Sequence, residues 1–121
     1  MKVRLEEILH KGRGVVATTA IEIGDLIECC PVILFRLDSL NLQNSGLGPY
    51  YFEWEDDCGA IVLGLGTLYN HSYQPNAQFI RDYPRRLMNF VAVRPITPGE
   101  EITINYNYYP GDLTPVDFEV F

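Results

Sequence analysis

Asn70-His71-Ser72-Tyr73-Gln74-Pro75-Asn76 (NHSYQPN) is a run of polar side chains set directly behind a largely apolar one, Ala60 to Tyr69. The apolar stretch is expected to run through the core, so the polar groups emerge where the chain leaves it and must find hydrogen-bond partners there. Residue chemistry alone favours a structural, hydrogen-bonded role for Asn70 and His71 over a ligand-binding one. A zinc role is poorly supported. His10, the other histidine, is far away in sequence, and Cys29, Cys30 and Cys58 do not sit at ligand spacing. No metal ligand is assigned.

Outward from this segment the chain breaks into short strand-like pieces. Val3 to Leu9, Gly14 to Thr18, Leu26 to Phe35, Ala60 to Leu65, Ala77 to Asp82, Leu87 to Val93 and Glu101 to Tyr106 are rich in β-branched and aromatic residues, with turn formers between them. No stretch sustains a 3.6-residue apolar period. Asp38 to Pro49 carries Asn, Ser, Gly and Pro and reads as a loop with at most one short helix. The expected fold class is therefore mostly β, with hairpins as the connections. Tyr83-Pro84-Arg85-Arg86 joins two strands as a hairpin turn, and Pro98-Gly99 suits the centre of a type II turn. A weak repeat, I-x-x-G-[DE]-x-I, occurs at Ile21 to Ile27 and at Ile96 to Ile102. Two such turns facing each other, or one favourable turn sequence used twice, explain it equally well.

Two further segments carry candidate chemistry. Lys11-Gly12-Arg13-Gly14 lets the backbone turn sharply and approach a ligand closely, although a plain turn into a strand reads as well. It lacks the third glycine and the following helix of a dinucleotide fingerprint. Pro98-Gly99-Glu100-Glu101-Ile102-Thr103-Ile104-Asn105-Tyr106 is a turn and a strand ending in a tyrosine, with Asn107, Tyr108 and Tyr109 behind it.

Length and composition bound the rest. The 121 residues suit a single domain with one modest core. Sixteen acids against nine bases give a net charge of −7, which argues against direct nucleic-acid binding and suits a basic partner, or simply solubility. The odd cysteine count, with two of the three adjacent, suits a reducing interior, so an intracellular, cytoplasmic location is expected. No apolar run approaches the ~20 residues of a membrane span, and Met1 leads straight into the charged stretch Lys2 to Glu7, so no membrane association or secretory signal is expected.

G-x-G near the start, N-H-S-x-x-P-N in the middle and G-E-E-I-T-I-N-Y near the end, in that order, resemble the SET-domain family of protein lysine methyltransferases. The resemblance covers essentially the whole chain as one domain, and is strongest to the minimal stand-alone SET domains of bacteria and large algal viruses. It implies a β-clip fold of several small curved sheets, with the chain end crossing knot-like beneath the loop that holds N-H-S, so that Tyr106 comes beside Asn70 and His71. It implies S-adenosylmethionine as cofactor, a target lysine on a basic protein or peptide, histone-like or otherwise, and a narrow channel between the two sites. It leaves a homodimer open, and for a viral protein the host nucleus.

Carried across, the resemblance assigns Lys11, Gly12, Arg13, Gly14, Asn70 and His71 to the cofactor and Tyr106 to catalysis. Tyr50 or Tyr51 lines the lysine channel, with Phe79 and Ile104 as further wall candidates; each has core packing as the rival reading. Many larger relatives carry a cysteine-rich zinc segment after the tyrosine, whereas residues 107–121 contain no cysteine. Tyr108, Tyr109, Phe118 and Phe121 are candidates to close the cofactor pocket or the channel as a lid, with Tyr109 assigned to the cofactor and surface association as the rival reading. The rival functions are a non-catalytic β-clip protein-binding module and a methyltransferase for a non-protein amine.

Overall fold

The computed structural model describes residues 2–39, 50–107, 111 and 113–116. Nine strands fill most of this length: β1 (Val3–Ile8), β2 (Gly12–Ala17), β3 (Leu26–Arg36), β4 (Phe52–Glu53), β5 (Cys58–Val62), β6 (Asn70–His71), β7 (Ala77–Asp82), β8 (Leu87–Ala92) and β9 (Glu101–Ile104). The helical elements among the described residues are two 3-10 turns, Leu37–Ser39 and Gly66–Leu68. Each of the seven stretches expected from sequence contributes a strand, Ala60 to Leu65 only in its first part. The short β4 and β6 were not foreseen, because two residues show no alternation to read.

The strands make two sheets, ordered β1-β2-β9-β6 and β4-β5-β3-β8-β7. Strand β8 shows the driving pattern: Met88, Phe90 and Ala92 are buried while Leu87, Asn89 and Val91 are half-buried, the two-residue period of a pleated strand. Both sheets feed one core, in which Val15, Ile102 and Ile104 from the first meet Cys30, Val62, Met88 and Phe90 from the second. Burying such aliphatic and aromatic side chains stabilises the fold by roughly 1.5–3 kcal/mol each.

Tyr83–Arg86 closes the β7–β8 hairpin, with the Arg86 N–H donating to Tyr83 O at 3.3 Å. Gly99 has φ +85, as the second central position of a type II turn requires. The weak repeat is a structural one. Ile21 and Ile96 exchange backbone hydrogen bonds of 2.9 and 2.8 Å, Gly24 and Gly99 take φ of +86 and +85, and each turn continues into a strand. The two turns thus face each other about an approximate two-fold axis.

One expectation needs correction. Ala60 to Leu65 is not a single strand: β5 runs Cys58–Val62, after which Gly64, at φ +65, turns the chain into the 3-10 segment Gly66–Leu68. The buried aromatic Tyr69 then precedes β6.

Candidate functional site

Strand β9 lies between β2 and β6, and this placement brings the three sequence motifs together. It pairs antiparallel with β2 but parallel with β6, with Asn70 opposite Thr103 and His71 opposite Ile104. The parallel pairing directs the residues after Ile104 along the Asn70–Asn76 segment. Tyr106 accordingly donates its backbone N–H to His71 Nδ1 at 3.0 Å, and the two rings lie 5.1 Å apart. Farther on, the Val116 N–H donates to the Tyr73 hydroxyl at 2.9 Å. The tail therefore meets this segment twice.

Asn70 ties the glycine turn to β9. Its Nδ2 donates to Arg13 O at 3.0 Å and to Glu101 Oε2 at 2.8 Å. Because both partners are acceptors, the amide orientation is fixed and the nitrogen is spent inside the protein. Lys11 Nζ completes the corner with a 2.7 Å ion pair to Glu101 Oε1, both side chains 16% exposed. Gly12 serves the β1–β2 turn through φ +77. Gly14 serves proximity, since a Cβ there would fall 2.6 Å from Ile8 Cγ1, 2.7 Å from Glu101 Oε2 and 2.8 Å from Asn70 Nδ2.

Tyr106 is 37% exposed, and its hydroxyl donates to Tyr69 O at 2.6 Å. Burial, and after it the nearby Glu101 carboxylate, pushes this phenol up to about 12. His71 is shifted the other way: burial first, then the Lys11 charge, lower its pKa, so the ring is neutral at pH 7 and Nδ1 is free of a proton to accept the Tyr106 N–H.

The remaining predicted residues separate. Tyr50 is half exposed. Tyr51 instead packs edge-on against Phe35 at 5.9 Å. The two neighbours thus differ in packing, Tyr50 open to solvent and Tyr51 anchored on Phe35. Phe79 is buried against Phe52 at 5.1 Å, and Ile104 is fully buried. Arg13 is exposed and enters the corner through its carbonyl. Tyr108, Tyr109, Phe118 and Phe121 lie outside the described residues.

Sequence reasoning missed three contributors. Glu101 is the acceptor on which Lys11 and Asn70 converge; its signal was the second acid of Gly99-Glu100-Glu101. Asn76 is 2% exposed and clamps β9, donating to Glu100 Oε2 and Glu101 O at 2.8 Å and accepting the Thr103 N–H at 2.9 Å. Tyr69 supplies the carbonyl that holds Tyr106, a main-chain role that no side-chain motif reveals.

Among the described residues no cluster of His, Cys, Asp and Glu could hold a metal ion, and no helix is long and apolar enough to cross a membrane. A SET-domain family model matches residues 12–107. A "Histone-lysine N-methyltransferase, H3 lysine-37 specific" of Schizosaccharomyces pombe is 31% identical over 99 residues, 80% of this chain and 67% of that protein. The crystal structure of a presumed histone methyltransferase of Plasmodium falciparum superposes with a TM-score of 0.73 at 27% identity, covering 87% of this chain and 92% of that one. The matched span runs from the glycine turn through Asn70–Asn76 to Tyr106, the same three segments that converge on β9, and the chain therefore belongs to the SET-domain family.

Proposed function

We propose that this protein is an S-adenosylmethionine-dependent protein-lysine N-methyltransferase acting on a basic, histone-like segment. The observation that carries the reading is the placement of all three motifs along β9, with Lys11 and Asn70 bonded to Glu101 at its start and Tyr106 held against His71 and Tyr69 beyond its end, in a chain whose relatives include a histone-lysine N-methyltransferase. The donor set suits the amino-acid end of this cofactor. A zwitterion needs an acceptor for its ammonium group and a cation for its carboxylate, and Asn70 Oδ1 and Lys11 Nζ supply one of each. Gly12, Arg13 and Gly14 would contribute backbone groups, and His71 the neutral ring surface beside them.

When bound, S-adenosylmethionine supplies the methyl group and a sulfonium charge that disfavours a second cation close by. The protein must present the lysine as a neutral amine, which costs about 4.6 kcal/mol at pH 7 from a pKa near 10.4. Apolar and aromatic walls offset part of that cost by disfavouring the ammonium form. Holding donor and acceptor in line can contribute roughly 7–11 kcal/mol. Tyr106 serves that alignment. With its pKa pushed up to about 12 its hydroxyl stays protonated, and with that proton given to Tyr69 O the oxygen offers lone pairs to the amine. The role is to aim and polarise, not to abstract a proton.

Two finer readings have their own support. An apolar outer face on the second sheet, including Leu26, Ile33 and Ile80 at 48%, 56% and 46% exposure, supports a homodimer. Three free thiols support a reducing, intracellular setting.

The test is calorimetry of chelator-treated protein with S-adenosylmethionine, followed by labelled cofactor offered to histone peptides, other cell proteins and small amines. Stoichiometric binding and label on a lysine support the reading. No binding at millimolar cofactor overturns it; binding without transfer to anything favours the non-catalytic module, and label on small amines alone the third alternative.

A further inference from the structure

Glu28 lies on β3, in the other sheet from β2, β9 and β6, yet both of its carboxylate oxygens are engaged by the segment that leads into the site. Oε2 accepts the Leu65 N–H at 3.0 Å, at the start of the 3-10 turn Gly66–Leu68. Oε1 accepts the Tyr69 hydroxyl at 2.7 Å, at the end of that turn. A β-bulge between Leu26 and Glu28 shifts the register against β8, which lets Ile27 and Glu28, adjacent in sequence, both turn inward. Gly64 is compelled by the same carboxylate, since a Cβ there would lie 2.4 Å from Glu28 Oε2.

Tyr69 is the link to chemistry. Its ring is 1% exposed and stacks on Phe90 at 4.4 Å, while its backbone carbonyl accepts the Tyr106 hydroxyl at 2.6 Å. One residue thus has its side chain anchored by Glu28 and its main chain engaged by Tyr106. Resting on the methyltransferase reading above, we propose that Glu28 is a positioning residue for Tyr106: by pinning both ends of Leu65–Tyr69, it fixes the carbonyl oxygen that sets the direction of the Tyr106 hydroxyl.

The surroundings suit a fixed support. Burial, and then Glu28 itself, push the Tyr69 hydroxyl and the Cys30 thiol well above their ordinary values, so both remain protonated donors around one acceptor. A donor that never ionises near neutrality keeps the arrangement constant across the working pH range. A change of ~1 Å in a group that orients the reacting atoms costs turnover far more than it costs affinity.

The experiment compares Glu28→Gln, Tyr69→Phe and the double variant. Cofactor affinity is read by calorimetry, kcat and KM by labelled transfer, and the Tyr106 ring by its 13Cζ resonance in cofactor-free protein, assigned through Tyr106→Phe. Each single variant should lower kcat by about tenfold or more, leave the S-adenosylmethionine Kd within about threefold, and move the Tyr106 resonance. The double variant should lose no more than the worse single one, since both act through one linkage. Wild-type kcat in either variant, or multiplicative losses in the double, would overturn the proposal. If Glu28→Gln does not fold, Tyr69→Phe, which leaves the carboxylate and the ring in place, carries the same decision. The resonance needs no substrate: an unmoved Tyr106 signal in Tyr69→Phe refutes the linkage, whereas a moved signal in a protein that transfers no methyl group upholds it and refutes only the methyltransferase reading.

Discussion

Tyr106 donates its hydroxyl hydrogen to the carbonyl oxygen of Tyr69 at 2.6 Å, so the one proton the phenol carries is committed inside the protein. Removing that hydroxyl leaves the ring and its neighbours in place but deletes both the anchor and the lone pairs. Tyr106→Phe should therefore lower turnover at least about tenfold with little change in cofactor affinity. Steady-state kinetics beside calorimetry checks this, and equal activity would remove Tyr106 from the chemistry. With the phenol raised to about 12, the rate profile between pH 8 and 10 should also carry no break that Tyr106→Phe abolishes.

His71 supplies a pH prediction. Its folded pKa lies below the unfolded value near 6.5. The unfolded chain thus takes up the proton first as the pH falls, and stability rises with pH through this window. The contribution is fully present above about 6.5 and is lost as the pH drops through the lower folded value, where a proton on Nδ1 would break the bond from the Tyr106 N–H. Thermal melts from pH 8 to 5 should show a decline that His71→Gln flattens. An unchanged slope in that variant would assign the decline to other groups.

Gly14 and Asn70 act on one contact and should fail together. A Cβ at Gly14 meets Asn70 Nδ2 and Glu101 Oε2 below 3 Å, so Gly14→Ala must push the corner apart. Asn70→Ala instead removes its two hydrogen bonds, one of them to a carboxylate, a loss of about 2–4 kcal/mol of stability. Both should weaken S-adenosylmethionine binding by more than about 1 kcal/mol. Calorimetry of each single variant and of the pair should give less than additive losses. Additive losses would mean that the two residues serve the cofactor separately.

The acids of the β4–β5 turn offer a test of substrate steering. Asp56 and Asp57 have φ of +58 and +57, a conformation that Asn tolerates as well as Asp, so Asp56→Asn with Asp57→Asn changes charge with little backbone strain. If these carboxylates attract a basic peptide, the variant should show a higher KM and a shallower dependence of kcat/KM on salt. Arg36 lies close enough to Asp57 to feel its charge and offsets part of this potential. Coincident salt curves for both proteins would leave these acids to the solvated surface.

Most of the architecture was legible because β-branched and aromatic runs between turn formers mark strands, although Leu87–Ala92 alternates in burial and not in sequence, where Asn89 alone is polar. The glycine turn, Asn70, His71 and Tyr106 were legible as motifs. What sequence could not show was the wiring between them. Tyr69 acts through a backbone oxygen, and Glu28 reaches Tyr69 across 41 positions, guided by a bulge that no local pattern announces. Tyr50 and Tyr51 were inseparable on paper because both are aromatic; the packing of Tyr51 against Phe35 distinguishes them. Phe79 and Ile104 carry the apolar character of a channel wall, and burial in the core demands the same character.

The central place of β9 in its sheet also bears on how the molecule comes into being. Lys11 and Glu101 are 90 positions apart, and the β2–β9 and β6–β9 ladders can form only after Glu101–Ile104 has been made. Contacts of such long range are slow to close and are expected late on the folding route. A nascent chain paused before Glu101 therefore holds the glycine turn and the Asn70–Asn76 segment without the strand that joins them. Acquisition of the catalytic corner coincides with completion of folding, so methyl-transfer capacity would report on the final, fully assembled state and on no earlier intermediate.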